Sequence, residues 1–373
     1  MLTALAVTMS AALVACEDDP VVNKIPATTT NSFAFVTTTD FQVGSSSVVW
    51  IGDAYTVEKD VAAIHSDAVA RYFGGLIYVV NRLGGDNIQI LDPAHGFSTI
   101  NQFSVGNGSD PHDIAVVSAT KAYVTRYNET DLWIVNPSTL ARTGAISLSA
   151  LADADGIPEM DQLLLVGDRL FVSVQRIDRN GSWGPVGTSY FAVVDVAADT
   201  LIDVDPSTDG SQAIALTAAN PFSAVQMDAS TGNIYVACAG EWGAADAGVE
   251  AVNPVTFASE GMLLAGPTAG GDITDVELVD GQIGYAIITD SNFHNVLLRF
   301  NPTTGALINT VYAPGAFVLQ DIERSPTGEL FLADRTATNP GIRIYDAQSG
   351  TEITSAPLGV GLPPFKITFG MTK

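Results

Sequence analysis

One phrase recurs seven times along this chain: a short apolar strand around an aromatic, a gap, a second strand ending in Asp or Asn, a Pro or Thr turn, then a third strand. The aromatics of the first strands are Phe35, Tyr78, Tyr123, Phe171, Tyr235, Tyr285 and Phe331, and their successive separations are 43, 45, 48, 64, 50 and 46 residues. Self-similarity at this period marks propeller blades, because a single blade cannot bury both of its faces and a ring of blades can. Directly after the second strand, six copies carry Asp92, Asn136, Asp195, Asn253, Asn301 and Asp346, four of them followed by proline. Proline presets the turn dihedral while the Asx side chain accepts from the backbone ahead, so these residues read as structural.

Another apolar run precedes the first strand of the later copies, at 112–117, 162–166, 276–279 and 321–325, which makes four strands per blade. No such run precedes Phe33. Residues 363–369 repeat the pattern of 110–115, so the C-terminal strand is expected to join the first blade and remove the ring's open edge. The expected fold is therefore all-β: a seven-bladed β-propeller of four-stranded antiparallel blades spanning 32–373. With 34 Gly, 18 Pro, 47% apolar and only 15% charged residues, the composition suits short buried strands joined by tight turns.

The cadence Pro111-His112-Asp113-Ile114-Ala115-Val116, then Lys121 to Thr125, then Asp131 to Thr139 resembles the YVTN-type propeller repeat of bacterial surface and periplasmic proteins. The likeness covers most of 32–373. It implies the fold, but it is neutral between binding, scaffolding and occasional enzymatic roles.

Residues 1–15 are apolar and small, too short to span a bilayer and of the length of a signal-peptide core. Leu13-Val14-Ala15-Cys16 resembles the lipobox of bacterial lipoproteins, although no Lys or Arg occurs before Lys24. The resemblance implies a signal peptide over 1–16, lipidation of Cys16, and a polar tether over 17–31. Glu17 is not the aspartate associated with inner-membrane retention, which points to a cell-envelope protein of the outer membrane. The other cysteine, Cys238, lies in an apolar strand and reads as a small buried hydrophobe.

The 41 acidic residues against 16 basic ones give a net charge of −25, which excludes nucleic acid and anionic membrane surfaces as partners. Membrane contact is expected through the lipid anchor.

In such blades the loop leading into the innermost strand and the loop after the second strand open on one face, around the mouth of the axial channel. Arg82, Arg126, Arg176 and Arg335 recur there at nearly one blade position, opposed by His112-Asp113, Glu159, Asp161, Asp272, Asp275 and Asp321. These are either Arg–carboxylate pairs lacing the blades together or, for the arginines, an anion site with Trp242, Tyr127 or Trp183 as stacking surface. The loops 176–190 and 239–248 are longer than a blade needs, and function concentrates in such loops. Asp153, Asp155, Glu159 and Asp161 surround a glycine turn and form a weak candidate for Ca2+, set against a polar loop that satisfies its own backbone donors. Of the four histidines only His112 stands at an inner strand, where it reads as a base beside Asp113 or as a satisfied polar residue. The leading expectation is a non-enzymatic lipoprotein binding a protein partner or small anionic ligand on this face. The alternatives are a metal-dependent lactonase or lyase and a structural subunit of an envelope complex.

Overall fold

The computed structural model describes residues 31–210 and 212–372, so Cys16, the leader and residues 17–30 of the tether lie outside it. Seven antiparallel sheets follow one another as the blades of a ring. Blade 2 shows the plan: Ala68–Phe73 is innermost, followed outward by Leu76–Asn81, Asn87–Asp92 and Ser98–Ser104. Blades 3, 5 and 6 repeat it, with inner strands Pro111–Ser118, Pro221–Met227 and Asp272–Asp280.

Blade 1 is completed by the chain's two ends, as the sequence pattern predicts. Pro364–Met371 takes the inner place and pairs antiparallel with Ser32–Thr39, from Ser32 opposite Met371 to Thr38 opposite Pro364. The six Asx turns also form. Asp92, Asn136, Asp195, Asn253, Asn301 and Asp346 each accept from a backbone N–H two or three residues ahead, at 2.7–3.2 Å.

The core lies between blades, because a radial sheet turns its alternating side chains toward its two neighbours. All seven repeat aromatics are at most 3% exposed. Ala34 and Val36 of blade 1 pack with Phe331, Ala333 and Ile342 of blade 7, so apolar burial as well as strand pairing closes the ring. Deleting one such aromatic costs about 3–5 kcal/mol.

A second device links neighbouring inner strands. Asp113 accepts from the Leu163 N–H of blade 4 (2.8 Å), Asp275 from Ile322 of blade 7 (3.0 Å), and Asp321 from Ile367 of blade 1 (2.7 Å). Inner strands meet only near the axis, and a charged acceptor there satisfies an edge N–H that no ladder reaches.

Two blades depart from the four-strand plan. The outer edge of blade 4 is divided between Thr200–Leu201 and Ile214–Ala215, which pair with opposite ends of Tyr190–Asp195, because residues 202–213 are inserted between them. Blade 7 has three strands, and its outer edge is reduced to isolated bridges, Ile342 with Leu358 and Tyr345 with Glu352. Pro357 lies in that segment and has no N–H to give a ladder.

Candidate functional site at the channel mouth

The loops named from the sequence do share one face, but the arginines on it are engaged by the protein itself. Arg82 pairs with Asp67, its Nε at 3.1 Å from Oδ1. Arg126 is 6% exposed, lies 4.2 Å from the Trp133 centroid and donates to the Val105 carbonyl. Arg335 donates to the carbonyls of Pro363 (3.2 Å), Pro364 (3.0 Å) and Thr39 (3.0 Å), tying the closing strand to its neighbours. Arg176 donates to Thr188 O, and its Nε is buried without a partner among the described residues. The expected ring of free guanidinium groups for an anion is thus replaced by four braces, because a planar fork finds carbonyls, carboxylates and ring faces in its own loop or in segments packed beside it.

Asp113 is likewise no surface group. It is 1% exposed and forms a bidentate pair with Arg71 of blade 2, at 2.7 and 2.8 Å. Nor do the four carboxylates proposed for Ca2+ converge. Glu159 is fully buried, pairs with Arg179 Nε (2.8 Å) and accepts from the Ile177 N–H, while Asp161 faces His112 and Gln175. Asp153 and Asp155 accept from the backbone of their own turn. Among the described residues no group of three or more His, Cys, Asp or Glu is arranged to hold a metal ion.

What the mouth does contain between blades 3 and 5 is a buried polar chain. The His112 ring stacks on Tyr127 at 4.0 Å and 7°, with Nδ1 2.7 Å from Asp161 Oδ1 and Nε2 3.7 Å from Asp110 Oδ2. Tyr127 donates to Gln175 Oε1 (2.6 Å), and Gln175 Nε2 returns to Asp161 Oδ2 (3.0 Å). Burial opposes charge on His112, but the two carboxylates outweigh it and hold the imidazolium above the ordinary histidine range. Burial pushes Glu159 up to about 7 despite the pull of the Ile177 N–H and Arg179.

Deeper along the axis sits a cluster the sequence reading did not assemble. Lys366 Nζ lies 2.6 Å from Asp321 Oδ1 and 3.3 Å from Ser223 Oγ, which in turn donates to Asp275. Burial raises Asp275 to about 7 and Glu277 to about 8, so Asp275 is ionised in part and Glu277 is mostly protonated near neutrality. One signal was available: Lys366 stands where the aligned phrase carries Asp113 and Asp321, so its partner had to be an acid of a neighbouring blade. Cys238 is buried at 0% exposure, and burial pushes its thiol far up, which leaves it a packing residue.

The feature that sequence reasoning found only in part, through Trp183, is apolar. Among the described residues the exposed aromatics are Phe41, Trp183, Phe222, Phe293 and Phe317, and all five lie on this one face. Phe41, Trp183 and Phe293 sit in loops after the strands that bear the repeat aromatics, second from the axis, Phe222 at the start of the blade 5 inner strand, and Phe317 just before that of blade 7. Three of them adopt left-handed backbone, with φ of 68°, 58° and 59° for Phe41, Trp183 and Phe293. That conformation costs a bulky residue on the order of 1–2 kcal/mol. A cavity of about 450 Å³ between the outer strands of blades 5 and 6, lined by Met262, Leu263, Pro302 and Thr303 among others, contains no titratable side chain.

No family model matches the chain, and no curated protein matches it. Solved structures do. A putative 6-phosphogluconolactonase from Bacteroides fragilis superposes with a TM-score of 0.64 at 15% identity, over 91% of this chain and 98% of its own. The periplasmic gluconolactonase of Pseudomonas aeruginosa gives 0.60 at 14%, over 92% and 100%. AztD from Citrobacter koseri gives 0.53 at 12%, over 92% and 99%. At these identities the likeness shows the propeller fold and nothing finer.

Proposed function

We propose that this chain is a binding propeller of the bacterial cell envelope, held at the outer membrane by lipid on Cys16, and that it engages a protein partner through the channel-mouth face. The observation that carries the reading is the confinement of every exposed aromatic among the described residues to that face, three of them in costly left-handed turns. Exposed aromatics that gather on one face mark an interaction surface. The leader and the Leu13-Val14-Ala15-Cys16 motif support the address, in agreement with the periplasmic location of one fold neighbour.

A photo-crosslinking residue placed at Phe293 or Phe317 should capture a partner in intact cells, while the same residue at Val255 or Ile100, away from the mouth, should not. Equal capture from all four positions would remove the mouth as the site. Cys16→Ala should release the protein from the membrane fraction.

A second reading is acid–base catalysis of the lactonase or lyase kind at His112, supported by its buried placement between Asp161 and Asp110. An imidazolium held there is a proton donor to a leaving oxygen. The reading predicts turnover on a panel of sugar lactones that His112→Asn abolishes while leaving the melting temperature within a few degrees. Hydrolysis that persists in that variant rules it out.

A further inference from the structure

The mouth holds three aromatic pairs, and only one lacks a cation of its own among the described residues. Phe41 and Phe365 meet edge to face at 6.1 Å, with Arg335 4.4 Å from the first centroid and Arg82 5.8 Å from the second. Phe222 and Trp242 meet at 5.2 Å and 89°, and no Lys or Arg among the described residues lies over either ring. The other two aromatic pairs at the mouth, Phe41–Phe365 and His112–Tyr127, each carry an arginine over a ring.

The residue before Trp242 in the chain is a carboxylate, Glu241. Glu241 is exposed and forms no ion pair among the described residues. Its loop is braced: Asp246 accepts from the Glu241 N–H (3.0 Å), and Asp272 accepts from Gly243 (2.6 Å) and Ala245 (2.9 Å). The Glu241 carboxylate lies against the hairpin that bears Trp183, where a Cβ built on Gly184 would stand 1.8 Å from Glu241 Oε2. Ring faces are the negative pole of an aromatic quadrupole and add to the pull of a nearby carboxylate on a cation.

We infer that the Phe222–Trp242–Glu241 corner receives an Arg or Lys side chain carried on a protein segment of the partner. The inference rests on the mouth being the binding face. The corner is open on its Phe222 side, that ring being 40% exposed while Trp242 is half-buried, whereas a free small cation would need a site that encloses most of its surface. A basic side chain on a protein segment brings further contacts to Phe293 and Phe317, and it complements a chain of net charge −25. Arginine fits best, since its plane stacks on a ring while its edge meets a carboxylate.

The test titrates the full-length protein with an end-capped Gly-Arg-Gly-Arg-Gly peptide and with its neutral citrulline counterpart, read by tryptophan fluorescence. The arginine peptide should bind saturably, and the citrulline peptide about fivefold or more weakly; Glu241→Gln and Trp242→Ala should each weaken the arginine peptide by about fivefold. Trp242→Phe, which keeps a ring face, should stay within about threefold, and all variants should retain the parent melting temperature within a few degrees. Absence of saturable binding, equal binding of the two peptides, or indifference to both Glu241→Gln and Trp242→Ala overturns the inference. Should the crosslinks from Phe293 and Phe317 persist in that event, only the cation assignment falls; should they also fail, the mouth-face reading fails with it.

Discussion

The Phe41–Phe365 and Phe222–Trp242 corners are built from similar parts on one rim, yet they do different things. At the first, Arg335 lies over Phe41 and ties three carbonyls of the chain's two ends together. The rings there cover a structural cation that helps to close the propeller. At the second, the backbone is braced by Asp246 and Asp272, the rings carry no cation, and Glu241, next to Trp242 in the chain, stands exposed. An aromatic pair is therefore no sign of a binding site until its ring faces have been accounted for.

The sharpest way to break this comparison is stability. Arg335→Ala should cost about 3 kcal/mol, since three buried carbonyls lose a charged donor, and the melting temperature should fall by several degrees. Arg335→Lys, without the fork, should recover only part of this. Trp242→Ala losing as much stability would show that both corners are structural.

The axis below the second corner offers a test by pH. Asp275 and Glu277 are raised by burial to about 7 and about 8, so the folded state binds more protons than the unfolded one between roughly pH 4 and 8. The stability these groups contribute is complete below about pH 4 and is lost as the pH rises through 7 to 8. Thermal melts should show a descent over that range that Glu277→Gln flattens, because an amide has no proton to lose. A descent of unchanged slope in that variant would place the titrating group elsewhere.

Smaller still is the effect expected of Gly184→Ala. Its Cβ must displace the Glu241 carboxylate, the far end of a flexible side chain, so stability should change by less than about 1 kcal/mol. Arginine-peptide affinity should fall about two- to threefold. A loss confined to stability would detach Glu241 from the proposed site.

Much of the scaffold was legible before any coordinates. Phe35 to Phe331 set the blade count, the Asx residues set the turns, and 363–369 announced the closing strand, because strand periodicity and turn chemistry act over a few residues. The failures share a cause. Arg82, Arg126, Arg176 and Arg335 looked like one repeated site, yet each found a partner in its own loop or in a distant segment, such as Pro363 for Arg335. Glu159 and Asp161, two residues apart, face different partners, Arg179 and His112. The cut-short outer edge of blade 7 was equally invisible to a pattern of averages, whereas the 64-residue interval from Phe171 to Tyr235 already marked the extra length that divides the edge of blade 4.

By itself, then, the sequence determined the all-β class, the sevenfold ring and its mode of closure, since hydrophobic period and turn residues are local and repeated. Which arginines are braced and which ring faces stay bare was decided by the tertiary structure. Ion pairs and hydrogen bonds join residues tens to hundreds apart, such as Lys366 with Asp321 and Arg335 with Thr39, and only the ring's geometry sets their distances.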